Sequence, residues 1–171
     1  MALLITGSPG IGKTTVIRAV ASGLSSVRLG GFFTQEMRSR GVRSGFELVT
    51  FDGQRAVMAH VDRRGGPRVG KYGVDASVLE ITARTSLAVS PGTDVYLVDE
   101  IGKMECLSPG FVATMRALLD TGQPVVATIG ERGGGFIAEV KRRPDVALWR
   151  LSRDNRDAAP DRILTWLRDH G

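Results

Sequence analysis

Residues 7 to 14 read Gly7-Ser8-Pro9-Gly10-Ile11-Gly12-Lys13-Thr14, the pattern G-x-x-x-x-G-K-T, whose chemistry is the grip of a polyphosphate. Glycines let the chain curl until successive backbone N–H groups point at one anion, and a side chain at Gly12 would obstruct the phosphate's approach. A helix starting at Lys13 presents its positive dipole end to the same anion. Lys13 adds a mobile positive charge for the β- and γ-phosphates, and the Thr14 hydroxyl is placed to ligate Mg²⁺. Thr15 joins residues 7–14 in the expected nucleotide-binding set. Only four of the 23 basic residues are lysines (Lys13, Lys71, Lys103 and Lys141), so a lysine at the motif position is a specific signal.

A phosphate loop needs an acidic partner at the end of another strand to hold the magnesium shell. Val95-Tyr96-Leu97-Val98-Asp99-Glu100 supplies four apolar residues and then two carboxylates, at the carboxyl edge where open α/β sheets bind ligands. Asp99 is the expected Mg²⁺ residue. Glu100, on the opposite side of the pleat or in the following turn, is placed to polarise a water for in-line attack on the γ-phosphate. An acidic pair after a strand also suits a helix start, where the dipole favours it. Asp99-Glu100-Ile101-Gly102 spells the GTPase pattern D-x-x-G, but no N-K-x-D or T-K-x-D segment follows, and a GTPase switch is rejected.

The elements that must hold these groups alternate along the chain. Ala2 to Thr6 reads as a buried strand, and Val16, Ile17, Val20, Ala21 and Leu24 form one stripe of an amphipathic helix. Val27 to Phe33 reads as a second strand. Residues 34–75 alternate apolar and polar, and Asp52-Gly53 marks a hairpin turn between Phe46–Thr50 and Arg55–Ala59, with a further strand near Tyr72 to Val74. Helical patterns follow at 75–88, 111–119, 136–143 and 160–169, and strands at 95–98, 125–129 and 146–151. Unbroken apolar strands alternating with helices predict an α/β fold: a parallel sheet covered on both faces, with an antiparallel hairpin extension.

Length and composition agree. The 171 residues, 42% hydrophobic and 24% charged, suit one globular domain spanning 1–171 and exclude a disordered tail or a coiled coil. No apolar run reaches the roughly 18 residues of a membrane span, no basic leader precedes the first strand, and a cytoplasmic monomer is expected. A single cysteine, Cys106, and two histidines, His60 and His170, exclude a disulfide framework and a Cys/His zinc site. Cys106 reads as a small buried hydrophobe rather than a nucleophile. The net charge of +5 permits a phosphate-bearing partner, but no aromatic stacking motif supports nucleic acid.

Gly31-Phe32-Phe33-Thr34-Gln35-Glu36, Gly45-Phe46-Glu47-Leu48-Val49-Thr50, Asp99-Glu100-Ile101-Gly102-Lys103-Met104-Glu105 and Asp154-Asn155-Arg156 stand in order behind the phosphate loop. Together they resemble the cancer-related nucleoside-triphosphatase family, the thermophile-phosphatase type of P-loop NTPase, over essentially the whole chain. The resemblance implies a three-layer, RecA-like fold and slow, base-indifferent, Mg²⁺-dependent hydrolysis of nucleoside triphosphates to diphosphates. Gly130-Glu131-Arg132-Gly133-Gly134-Gly135 departs from the basic or proline-containing loop expected there. A small nucleotide or polynucleotide kinase, using the same site with an acceptor in place of water, is the alternative.

Some residues remain open on sequence alone. Lys103 and Glu105 either serve the site, by contacting phosphate or fixing Glu100, or form a solvated ion pair on an exposed turn. Asn155 and Arg156 either touch base or ribose or cap the last helix. Arg38, Arg40, Arg43, Arg63, Arg64, Arg132, Arg142 and Arg143 are all available for transition-state charge, and nothing selects among them.

Overall fold

A computed structural model of the protein describes residues 1–170. Nine strands form one sheet: β1 (Ala2–Thr6), β2 (Leu29–Ser39), β3 (Val42–Thr50), β4 (Arg55–His60), β5 (Arg68–Val69), β6 (Tyr72–Val74), β7 (Val95–Ile101), β8 (Val125–Ile129) and β9 (Val146–Arg150). Five helices accompany them: α1 (Lys13–Gly23), α2 (Ala76–Thr85), α3 (Pro109–Asp120), α4 (Gly135–Lys141) and α5 (Ala159–His170). The sheet order is β5-β6-β4-β3-β2-β7-β8-β1-β9.

β2, β7, β8, β1 and β9 run parallel, so their carboxyl ends share one edge. Every residue of β1 is buried, because helices cover both faces of the strand. Leu3 and Ile5 pack with Val16, Ile17 and Val20 of α1 and Ile163, Trp166 and Leu167 of α5. Ala2 and Leu4 face the other way, into a core with Leu79 of α2, Phe111 and Met115 of α3 and Val140 of α4. The result is the expected three-layer α/β/α arrangement.

The antiparallel extension is longer than its sequence pattern indicates. β2 continues past Phe33 to Ser39 and pairs with β3 from Phe32 to Ser39, and β3 begins at Val42 rather than Phe46. Exposed polar residues at 36–44 hide the strands, since a hairpin solvated at its outer end carries little hydrophobic alternation. β5, with two residues, carries no periodicity at all. Phe46 and Tyr72 meet edge-on, ring centres 5.1 Å apart, across this extension and pack against the same core as Leu48, Met58 and Val74.

Helix starts follow their caps. Asp75 accepts a hydrogen bond from the Ser77 N–H and begins α2, and Ser108 accepts from Phe111 N–H ahead of Pro109 to begin α3. Glu80 of α2 accepts from Ser108 Oγ at 2.7 Å and from Gly110 N–H at 2.9 Å, tying α2 to the first turn of α3. That tie anchors the short 3₁₀ turn Glu105–Leu107 which follows β7.

Candidate active site

The loop between β1 and α1 curls as its glycines require. Gly10 and Gly12 have φ of 78° and 110°, a region costly for residues with a β-carbon. A β-carbon on Gly12 would meet nothing within 4 Å, so within the chain the backbone angle, not crowding, makes glycine necessary there. Gly7 is the crowded position: its β-carbon would sit 2.8 Å from Leu151 O, which shows how closely the loop after β9 abuts the phosphate loop. Ile11 N–H donates to Ser8 O at 3.2 Å and Val16 N–H to Gly12 O at 3.0 Å, leaving the first-turn N–H groups of α1 for an anion. Ser8, Pro9, Gly10 and Thr15 are exposed around the mouth of this cup, and Ile11, Gly12, Lys13 and Thr14 are partly buried.

Across the sheet edge stands the acidic strand end. β7 pairs Val98 with Ala127 and Ile101 with Ile129, so the two residues between them face only Thr128. This bulge settles where Glu100 lies: neither in a regular pleat nor in the following turn, but inside the strand, with both acids re-aimed at the edge. Asp99 is 2% exposed. Its Oδ2 accepts from Thr14 Oγ1 at 2.6 Å and from Thr34 Oγ1 at 3.4 Å, and its Oδ1 accepts from Thr128 Oγ1 at 2.7 Å. Thr14 lies 85 positions away in sequence. Sequence pattern alone assigns no role to Thr34 or Thr128, although Thr128 is the one polar residue of the strand Val125-Val126-Ala127-Thr128-Ile129, a signal that marks it.

Lys13 reaches between the two halves. Its Nζ donates to Gly7 O at 3.1 Å and lies 3.6 Å from Glu100 Oε2. Burial pushes the Glu100 carboxyl above its ordinary range; Lys13 opposes that rise and the Asp99 charge adds to it. A general base held somewhat above the usual carboxylate range is better matched to accepting a proton near neutral pH.

Behind Glu100 lies a third carboxyl. Glu105, in the 3₁₀ turn, is 5% exposed, and no basic side chain pairs with it among the described residues. This overturns the solvated-turn reading for Glu105; Lys103 is exposed and has no acidic partner among the described residues. A β-carbon on Gly102 would lie 2.7 Å from Glu105 Oε2 and 3.0 Å from Glu100 Oε1, so both carboxyls occupy the space beside this glycine. Burial pushes Glu105 up to about 8, while an unfolded chain releases that proton near pH 4.5. The stability associated with the proton is therefore full below about pH 4.5 and is lost as pH rises through about 8. Glu105→Gln, neutral at every pH, is expected to melt higher than the parent at pH 8 with a margin that shrinks toward pH 5. Thermal denaturation at the two pH values checks the trend, and a margin independent of pH would contradict it.

Cys106, partly buried beside Glu105, has its thiol pushed up to about 12 by burial and by the Glu105 charge. Its thiolate is scarce at neutral pH, and reactivity follows the thiolate. Alkylation of the folded protein by iodoacetamide at pH 8 is expected to run at least about 100-fold slower than that of the denatured chain; comparable rates would contradict the burial.

Several sequence candidates are drawn away from the site. Arg38 and Arg43 pair with Glu36, Arg63 with Asp75 at 2.9 Å, and Arg143 bridges Asp120 and Asp145. Asn155 Oδ1 accepts from Ser152 N–H at 2.8 Å and its Nδ2 donates to Arg150 O at 2.9 Å, so both ends of this amide pin the loop after β9. Arg156 lies 3.5 Å from Asp157.

A phosphate loop, a threonine-to-aspartate contact across a parallel sheet edge and helices on both faces define the class of P-loop nucleoside-triphosphate-binding α/β proteins. Within that class, the NTPase family profile matches residues 2–164, and the chain belongs to that family. It is 40% identical to the nucleoside-triphosphatase THEP1 of Thermotoga sp. strain RQ2 over 98% of this chain and 96% of that one. It is 34% identical to the human cancer-related nucleoside-triphosphatase, covering 95% and 94% of the two chains. The crystal structure of THEP1 from the hyperthermophile Aquifex aeolicus superposes with a TM-score of 0.88 at 34% identity, over 98% of this chain and 99% of that one. No helix among the described residues is long and apolar enough to cross a membrane.

Proposed function

We propose that this protein is a Mg²⁺-dependent nucleoside-triphosphatase that cuts the terminal phosphoanhydride of ATP, GTP and other nucleoside triphosphates, leaving diphosphate and phosphate. Residues 1–171 act as one domain, a cytoplasmic monomer. The observation that carries this reading is the 2.6 Å contact of Thr14 with Asp99, with Lys13 and Glu100 3.6 Å apart beside it. The names of the relatives, nucleoside-triphosphatases of bacterial and human origin, support the reaction class.

Thr14 and Asp99 offer the hard oxygen donors that Mg²⁺ prefers. Among the described residues no cluster of three or more His, Cys, Asp or Glu forms a metal cage, which suits an ion whose remaining ligands are phosphate oxygens and water. When bound there, the ion would supply charge neutralisation across the β- and γ-oxygens. Thr34 and Thr128 hold the Asp99 carboxylate in one orientation.

N–H groups of the loop and of the first turn of α1 receive the β-phosphate, and Lys13 exchanges its bond to Gly7 O for the β/γ oxygens. Glu100 orients a water against the γ-phosphorus. The water oxygen bonds to phosphorus as the bond to the β–γ bridging oxygen breaks, and the water's proton passes to Glu100. Nothing in this set reads a base: in the loop after β9, both ends of the Asn155 amide are already engaged, in keeping with base-indifferent hydrolysis.

Phosphate release measured across ATP, GTP, CTP and UTP, with and without Mg²⁺ and without any acceptor, tests the proposal. Release from all four, lost on chelation, is expected. Release that requires an added hydroxyl or phosphate acceptor would replace it with a kinase, and release indifferent to Mg²⁺ would remove the metal.

A further inference from the structure

Transition-state charge on a γ-phosphate is met in many P-loop enzymes by an arginine, and the structure narrows eight candidates to one. Four of the eight, Arg38, Arg43, Arg63 and Arg143, are held in ion pairs. Arg40 sits at the tip of the β2–β3 hairpin and Arg64 in the turn after β4, both on the extension. Arg142 caps the carboxyl end of α4, away from the carboxyl edge of the sheet. Arg132 remains.

Arg132 lies in the loop between β8 and α4, and β8 stands between the strand of the acidic pair and the strand of the phosphate loop. Gly130 N–H donates to Ile101 O at 3.1 Å, which stitches the start of this loop to the end of β7. A β-carbon on Gly130 would lie 3.4 Å from Arg132 O and 3.7 Å from Glu100 Oε1. The Arg132 backbone is therefore within one arginine side-chain length of the group that aims the water.

Side chains tie the root of the loop, and no side-chain hydrogen bond or ion pair among the described residues ties its middle. Lys141 Nζ donates to Gly130 O at 2.6 Å and to Glu131 O at 2.9 Å, and Arg150 pairs with Glu131 at 2.5 Å. Beyond Glu131 comes Arg132, then Gly133-Gly134-Gly135, with φ of 55° at Gly135. Arg132 is exposed, and its guanidinium has no hydrogen-bond or ion-pair partner among the described residues. A free cation on a tethered loop with a glycine hinge is suited to swing onto an anion that arrives at the site.

We propose that Arg132 is a catalytic residue of the hydrolysis: its guanidinium moves onto the γ-phosphate oxygens and meets the charge that develops there in the transition state. This rests on the hydrolase reading above. No bond to Arg132 forms or breaks; its N–H groups donate hydrogen bonds to the equatorial oxygens while water displaces the diphosphate. Arginine suits the role because its planar fork donates two parallel hydrogen bonds to one phosphoryl group.

The test compares full-length wild type with Arg132→Ala, Arg132→Lys, Lys103→Ala and Arg142→Ala by steady-state phosphate release. Trapping of ADP by aluminium fluoride, a mimic of the transferring phosphoryl group, is read alongside. Arg132→Ala is expected to lower kcat by about 100- to 1,000-fold, with KM and ADP affinity within about threefold and fluoride trapping lost. Arg132→Lys should recover part of kcat, and the other two variants should match wild type. A merely structural role would disturb ADP affinity or melting temperature along with kcat and would leave trapping proportional to binding. Undiminished turnover in Arg132→Ala overturns the proposal, as does transfer of the kcat loss to Lys103→Ala. A wild type without any turnover would sink the hydrolase reading, and this one with it; a wild type that turns over beside an equally active Arg132→Ala sinks the arginine alone.

Discussion

Glu100→Gln is expected to lower phosphate release by about 100-fold or more while leaving nucleotide affinity within a few-fold, the loss general-base catalysis contributes. The amide keeps the volume and one oxygen of the carboxylate, so the bulge in β7 and the packing on Gly102 survive. What it cannot do is accept the water's proton. Lys13, now 3.6 Å from a carboxylate oxygen, would lose an ion-pair partner but keep Gly7 O, and its role toward phosphate would persist. Single-turnover hydrolysis measured beside equilibrium binding of a non-hydrolysable analogue separates the two effects. A Glu100→Gln protein that turns over at the parent rate removes Glu100 from the chemistry; one that cannot bind nucleotide makes it a structural residue.

Asp99→Ala is expected to act on both activity and stability. Asp99 is the acceptor for the Thr14, Thr34 and Thr128 hydroxyls, and Thr128 is fully buried. Removing the carboxylate leaves that hydroxyl without its partner, at a cost of about 1–3 kcal/mol, or a fall of several degrees in Tm for a domain of this size. Activity should drop further than this loss of stability explains, by about 1,000-fold, because the hydroxyl and carboxylate that together would hold the metal ion are no longer both present. Asp99→Asn offers one acceptor oxygen and a donor amide, and so should recover stability in part without recovering rate. Melting curves read beside Mg²⁺ titrations of turnover distinguish these outcomes. A stable Asp99→Ala protein of normal Mg²⁺ dependence would contradict the assignment.

The readable parts of the site were those built from one continuous segment. Residues 7–14 declare their chemistry because the curled loop, the lysine and the helix start are all local, and the strand before them is apolar throughout. The acidic pair was readable as a strand end for the same reason. The bulge that brings Asp99 and Glu100 to one edge was not, because a bulge is a relation between β7 and β8, and neither strand carries it alone. Glu105 illustrates the converse. Its sequence neighbours, Lys103 and Met104, suggest a turn open to water, and only the packing of α2 and α3 over that turn takes the carboxyl out of solvent.

The extension follows the same division. Asp52-Gly53 is a local turn signal and predicted its hairpin, whereas the continuation of β2 to Ser39 depends on pairing with β3 and left no hydrophobic period to read. Likewise, eight arginines were equivalent along the chain and became distinct only once ion pairs had claimed four of them, Arg38 within its own strand and Arg43, Arg63 and Arg143 with acids of other elements, and the β8–α4 loop had been fastened beside Glu100.

By itself, the order of residues determined the α/β alternation, the phosphate loop and its lysine, and the presence of an acid at the end of an apolar strand, because each is encoded within a few consecutive positions. The tertiary structure alone decided that Thr34 and Thr128 join Thr14 on Asp99, that Glu100 lies inside the β7 bulge, and that Glu105 is buried. Those distances are set by which strands lie side by side in the sheet, and strand order is fixed by the summed packing of both helical layers rather than by any single segment.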